Sequence, residues 1–240
     1  MLVMVIGRGH SGTRAISHTL TASGVYMGRS VNRSGDLVPA QRMYDASRMI
    51  AQHVRWLGAF EWGWSELSKM PIPAEFRSAV LEYLASPLAS AAVHRGWKLP
   101  ETTLCYPWIV RMFPDIRYVF WVRKPRDCIL QKHTTDDLRN WGVRCPPSDD
   151  IRLLRAYSWM YQYRLVRAVP RPRWWIEVRF EDFVLEQERT LTRLEQFRGI
   201  PLERIPVRPE AVGRFKHDTG LNYFDFLEPA MRECGYAVPS

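Results

Sequence analysis

The strongest constraint on this chain lies at its amino terminus, where a continuous apolar run, Leu2-Val3-Met4-Val5-Ile6, ends in a glycine-rich segment, Gly7-Arg8-Gly9-His10-Ser11-Gly12. A strand with one wet face alternates apolar and polar residues, so an unbroken run of this length marks a strand covered on both faces, as in a parallel sheet. After the glycines the period becomes helical, with Ala15, Ile16 and Leu20 on one face between about Thr13 and Ser23 and a stop near Gly24. A glycine turn between strand and helix is a natural anion site, because loop amides and a helix N-terminus present partial positive charge at one point.

The rest of the chain repeats the alternation. The pattern predicts an irregular loop over 25–40, helices at about 40–56 and 74–86, and a short strand in His94-Arg95-Gly96-Trp97-Lys98. A helix through Thr102 to Met112 follows, then a strong strand from Arg117 to Val122 and a proline-opened helix from Pro125. Beyond a loop over 134–149 come a long helix at about 150–168, a strand from Trp174 to Arg179 and a helix at about 185–197 ending before Gly199. Strands alternating with helices predict a three-layer α/β domain with a central, mainly parallel sheet. Ligands of such sheets bind at the carboxyl ends of the strands. That rule puts Gly7 to Arg14 and Arg123 to Gln131 on one rim. A single domain over 1–240 is expected, with a helical and irregular insertion at about 25–92 capping part of the site. Within it Trp56, Phe60, Trp62 and Trp64 form an aromatic cluster that reads as core or as a cap surface.

The formal net charge of +9 favours an anionic partner, but the arginines are scattered from Arg8 to Arg232 rather than gathered in a tail, so nucleic acid is not expected. Cys105, Cys128, Cys145 and Cys234 are far apart and form no Cys-x-x-Cys pair, which argues against a zinc site and for a reducing compartment. No leader pattern and no membrane-length apolar stretch is visible, so a cytoplasmic location is expected.

Three anion-loop chemistries compete for Gly7 to Arg14. A Walker A loop fits Gly7 and Gly12, but Thr13 and Arg14 stand where Lys and Ser/Thr belong. A dinucleotide fingerprint fits Gly7, Gly9 and Gly12 but lacks the second strand ending in an acidic residue. The third fit is Gly9-His10-Ser11-Gly12-Thr13-Arg14-Ala15, which resembles the phosphosulfate loop of sulfotransferases that use 3′-phosphoadenosine-5′-phosphosulfate (PAPS). Further blocks of that resemblance follow in order: Trp97-Lys98-Leu99-Pro100, then Phe113-Pro114-Asp115 leading to Arg123-Lys124-Pro125-Arg126-Asp127. Val178-Arg179-Phe180-Glu181-Asp182-Phe183 and Phe197-Arg198-Gly199-Ile200-Pro201 complete it, the last resembling Phe-Leu-Gly-x-Pro.

The resemblance implies a P-loop NTPase-like sulfotransferase fold and transfer of a sulfuryl group from PAPS to a hydroxyl or amine, with release of 3′,5′-ADP and no requirement for metal. It implies two anion clamps. Arg8, Gly9, His10, Ser11, Gly12, Thr13 and Arg14 would hold the 5′-phosphosulfate, and Arg123 the 3′-phosphate, with Gln131 at the position where the family has a second, serine ligand. His10 stands where the family has Lys or Arg and would assist the leaving group, with Arg8 or Lys98 as alternative cations. Asp36 is the candidate base, with Glu101 and His133 behind it. Glu181 and Asp182 read as a helix cap and ion pair. Arg214, Lys216 and His217 form a basic loop, either solvated or closing over the donor. The acceptor, a small molecule, lipid or glycan, and the oligomeric state are not fixed by the sequence. A nucleotide kinase or NTPase with a degenerate Walker loop and a non-catalytic anion-binding module are the alternatives.

Overall fold

A computed structural model describes residues 1–238. Its elements are strand β1 (Leu2–Ile6), helices α1 (Thr13–Ala22) and α2 (Gln41–Ala51), strands β2 (Arg55–Gly58) and β3 (Glu61–Gly63), and helices α3 (Ser65–Lys69), α4 (Ala74–Tyr83) and α5 (Ala85–Ala89). These are followed by β4 (Arg95–Lys98), α6 (Tyr106–Met112), β5 (Arg117–Val122), α7 (Pro125–Cys128) and α8 (Ile151–Arg167). The chain closes with β6 (Trp175–Arg179), α9 (Phe180–Leu185), α10 (Gln187–Arg198) and α11 (Glu228–Glu233). Four strands form one parallel sheet in the order β4-β1-β5-β6.

Both faces of the sheet are covered, which explains the unbroken apolar run of β1. Val3 and Val5, with Val119 and Trp121 of β5, pack against Ile16 and Leu20 of α1, Phe183 of α9 and Leu194 of α10. Met4 and Ile6, with Tyr118 and Phe120, face the opposite layer, where α2, α4, α6 and α8 supply Met43, Phe76, Trp108 and Met160. The architecture is the three-layer α/β sandwich the alternation predicts.

Local departures have local causes. The helix expected to run to 56 ends at Ala51, and Arg55–Gly63 forms an antiparallel hairpin instead. Of the aromatic cluster on that hairpin, Trp62 is core, edge-on to Tyr161 of α8, and Trp56, Phe60 and Trp64 pack half-buried against it, Phe60 stacking on Phe226 with centroids 4.1 Å apart. The helix opened by Pro125 is a single turn that stops at Cys128.

Arg198, where the resembling family has leucine, is fully buried, and none of its three guanidinium nitrogens has a partner among the described residues. Burial beside Arg117 pushes its pKa down to about 10, so it is still charged at neutral pH. Replacing buried charge by a well-packed apolar side chain stabilises by about 1–4 kcal/mol, and each kcal/mol moves the melting temperature of a chain this size by about 2–4 °C. Arg198→Leu is therefore expected to melt several degrees above the parent in calorimetry. A lower melting temperature would mean that Arg198 has a counter-charge.

Candidate active site

The carboxyl ends of β1, β4 and β5 open into one cleft of about 530 Å³, within the range of small-molecule sites. Its floor is the glycine loop and the start of α1. Gly12 caps that helix at φ 86°, and a Cβ there would strike the ring of Phe180. Gly9 is required for a different reason: a Cβ would sit 2.1 Å from the imidazole of His133, which forms the shelf beneath the loop. Cationic side chains dominate the lining, with Arg14, Lys98, Arg123 and Arg208 against the single carboxylate of Asp36. Concentrated positive charge in a low-dielectric cleft favours a polyanionic ligand.

Three anchored groups define the geometry. Lys98, 2% exposed at the end of β4, donates to Asp36 Oδ1 and to Ser34 O at 2.6 Å. Burial lowers its pKa, and the Asp36 carboxylate works against that shift. Asp36 in turn accepts from Asn32 Nδ2 at 3.0 Å, so the turn at 32–36 is folded around the carboxylate and presents it to the cleft. Arg123, at the end of β5, lies 4.5 Å over the Phe180 ring and donates from Nη1 to His10 O (3.1 Å) and from Nη2 to Ala211 O (2.5 Å). Arg14 is exposed at the cleft and donates to Ser34 Oγ at 3.0 Å, while Thr13 is buried in the cleft wall.

Some expected ligands are placed otherwise. Arg8 points away from the cleft: its guanidinium is buried against Asp136 Oδ1 at 2.7 Å and also reaches Ser158, so it braces the loop from behind and is not presented to a donor. Ser11 is turned inward as well, its hydroxyl spent on Arg8 O at 2.5 Å. Gln131 is exposed beyond the one-turn helix α7 and is not among the residues that line the cleft. Residue 131 would need a longer helix after Pro125 to be carried back to Arg123.

His10 lines the cleft with φ 61°, and its Nε2 is bonded to Lys132 O at 2.5 Å. The residue is exposed, but partial desolvation of the ring against the loop lowers its pKa, so the ring is neutral at pH 7 and does not supply the cation expected of it. His133 is held lower still: burial and the nearby Arg8, His10 and Lys98 charges push it to about 3. Its Nδ1 accepts from Thr135 N, and its Nε2 lies 3.7 Å from Glu101. Glu101 is itself buried, its pKa raised by that burial, and it accepts from Thr134 Oγ1 at 2.5 Å.

The wall opposite the loop comes from residues with no helical or strand period. Ile205 to Arg208 run along the cleft without regular structure, and Ala211 ends a single 3-10 turn that Pro209 opens. Asp127 holds the next stretch, accepting from Gly213 N at 2.8 Å and Phe215 N at 3.0 Å. The basic segment 214–217 is thereby docked on the Arg123–Asp127 motif, with Arg126 4.1 Å over Phe215. Glu181 takes Lys124 N and Tyr236 OH, both at 2.9 Å, and Asp182 makes the expected ion pair, with Arg179, but neither is the expected helix cap: both lie inside the first turn of α9, whose N-cap position is Arg179. Among the described residues no group of three His, Cys, Asp or Glu side chains is placed to hold a metal, and no helix is long and apolar enough to cross a membrane.

Comparison with known proteins matches residues 3–204 to the model of the Sulfotransferase family. No curated protein matches the chain. Among solved structures, the chain is similar to the sulfotransferase domain from the curacin biosynthetic pathway, with 12% identity, a TM-score of 0.60 and coverage of 99% of this chain and 98% of that one. It is also similar to the sulfotransferase domain from the Synechococcus PCC 7002 olefin synthase, with 15% identity, a TM-score of 0.56 and coverage of 99% and 95%. At such identities the likeness bears on fold alone.

Proposed function

The chain belongs to the sulfotransferase family, and from that premise we propose that it transfers a sulfuryl group from PAPS to a hydroxyl or amine of a small-molecule, lipid or glycan acceptor. The observation that carries the reading is the convergence of the glycine loop, Arg123 and the Lys98–Asp36 pair on one cationic cleft. PAPS supplies the sulfuryl group and leaves as 3′,5′-ADP. Thr13, Arg14 and the amides at the start of α1 suit the 5′ end, because a helix N-terminus and a guanidinium both stabilise oxyanions. Arg123 suits the 3′-phosphate, its planar fork matching a phosphate where a lysine would give only a point charge.

Lys98 takes the cation role at the leaving oxygen. Arg8 is spent on Asp136 and His10 is neutral, whereas Lys98 lines the cleft with a charge held in low dielectric, where it stabilises developing negative charge most strongly. Asp36, the one carboxylate in the lining, is the base that receives the acceptor's proton. The turn that carries it belongs to the 25–92 insertion, which on this reading walls the acceptor side. A cytoplasmic location is part of the proposal and agrees with four free cysteines.

The test is thermal. A ligand at about 100 times its Kd stabilises by about 2.7 kcal/mol, so saturating 3′,5′-ADP without metal is expected to raise the melting temperature by several degrees. A shift produced by ATP with magnesium and absent with 3′,5′-ADP would overturn the proposal.

A further inference from the structure

Loop amides can hold an anion only if the carbonyls between them face elsewhere, because each peptide group carries an acceptor as well as a donor. The glycine loop meets that condition at every residue. Arg8 O accepts from Ser11 N at 3.1 Å and from Ser11 Oγ, and Gly9 O accepts from Arg8 Nη1 at 3.0 Å. His10 O is taken by Arg123 Nη1, Ser11 O by Trp121 Nε1 at 2.9 Å and Gly12 O by Ala15 N at 2.9 Å. The N–H groups show the opposite pattern. Those of Gly9, His10 and Gly12 donate to nothing among the described residues, and those of Thr13 and Arg14 open α1, where a helix offers no internal acceptor. All five residues line the cleft.

The Gly9 carbonyl is held by the side chain beside it, and that side chain is fixed from outside the loop. Arg8 is 4% exposed; besides Gly9 O, its guanidinium reaches Asp136 Oδ1 at 2.7 Å and Ser158 Oγ at 3.3 Å. The other oxygen of Asp136 accepts from Arg155 Nε of α8 at 2.9 Å and from His133 N at 2.8 Å. His133 is the shelf whose ring fills the room a Cβ on Gly9 would need. One buried carboxylate therefore anchors the loop through Arg8 and the shelf through His133, and ties both to the long helix.

We propose that Asp136, acting through Arg8, is a positioning residue for the clamp on the donor's 5′ end: the pair turns the Gly9 carbonyl to the back of the loop. The inference rests on the reading of the glycine loop as the 5′-phosphosulfate site. Gly9 O and His10 N belong to one planar trans peptide, in which carbonyl and N–H point in opposite directions. Fixing the carbonyl behind the loop fixes that N–H toward the cleft. Releasing it lets the peptide rotate and offer the anion a repelling oxygen. The burial of a cation beside an anion site, which charge alone would place at the ligand, has its reason here.

Arg8→Met keeps most of the side chain's length and removes its donors. In calorimetry it is expected to bind 3′,5′-ADP and 5′-AMP, which both carry a 5′-phosphate, about tenfold more weakly than the parent, the worth of a hydrogen bond to a charged group. Affinity for 3′-AMP, which has no 5′-phosphate, is expected to stay within about twofold. Arg8→Lys can reach Gly9 O or Asp136 but has no fork to hold both, and falls between. Equal weakening of all three nucleotides, or none, would overturn the positioning role. Arg8→Met leaves Asp136 with one partner fewer in the interior, so where it does not fold the double variant Arg8→Met with Asp136→Asn, which removes that charge as well, is read in the same way. A crystal structure of the variant that folds is the second measurement: a Gly9–His10 peptide turned with its carbonyl into the cleft supports the role, and the parental orientation overturns it. If the parent itself binds none of the nucleotides, the donor assignment falls instead, and the crystallographic arm still decides whether Asp136 and Arg8 set the loop.

Discussion

Asp36→Asn is expected to lower kcat by about 10²- to 10⁴-fold, the range by which a positioned general base accelerates proton transfer, while affinity for 3′,5′-ADP stays within about threefold of the parent. The substitution preserves shape and keeps an oxygen toward Asn32 Nδ2, but the amide cannot take a proton from an acceptor. It also strips Lys98 of its counter-charge. Lys98 is nearly inaccessible, and burial already draws its pKa down against the pull of Asp36. With an uncharged neighbour that ammonium is pushed further toward neutrality, so the variant weakens both proposed halves of catalysis. Lys98→Met in the same background separates the two: if Asp36→Asn has already silenced Lys98, the double variant loses little more. An Asp36→Asn protein with parental kcat would remove Asp36 from the chemistry and leave the loop and Arg123 as a binding site only.

What the sequence made legible follows from the range of each signal. The β1 run, the glycine turn and the α1 period are local patterns, and each formed where the pattern put it. The rim rule for parallel sheets put Gly7 to Arg14 and Arg123 on one rim, and Gly9, Thr13, Arg14 and Arg123 do line one cleft, joined by Lys98, which the rule was not applied to. Direction within the rim was not legible. Arg8 and Arg14 flank the same turn and carry the same charge, yet one is drawn behind the loop by Asp136, which lies more than a hundred residues away in sequence, and the other remains at the cleft. The neutrality of His10 was equally hidden, since the sequence does not show the partial desolvation of its ring at the cleft or its bond to Lys132 O. Motif spacing failed at Gln131 because it assumed a helix that Pro125 starts and the chain abandons after one turn. The 205–211 wall carries no period at all and is held in place by Gln187 of α10, which donates to Ile205 O, and by Arg123, which donates to Ala211 O, contacts that only the folded chain creates.

Arg123→Met is expected to weaken 3′,5′-ADP binding by at least about 100-fold, since losing one partner of a desolvated, hydrogen-bonded charge pair costs about 2–5 kcal/mol. Arg123 also supports the fold by bonding His10 O and Ala211 O, so loss of affinity alone would not distinguish a ligand from a brace. Two comparisons do. Affinity for 5′-AMP reads the glycine-loop end of the cleft and is expected to fall far less, because the 3′-phosphate is the only group Arg123 is proposed to hold. Arg123→Lys keeps the charge over Phe180 but replaces the planar fork by a point charge. It is expected to fall between parent and Arg123→Met for 3′,5′-ADP and to match the parent for 5′-AMP. Parental affinity for 3′,5′-ADP in both variants would sink the 3′-phosphate assignment. Equal losses for the two nucleotides would recast Arg123 as a strut between the glycine loop and the 205–211 wall, and the Phe180 ring beneath it would then be packing against a structural cation.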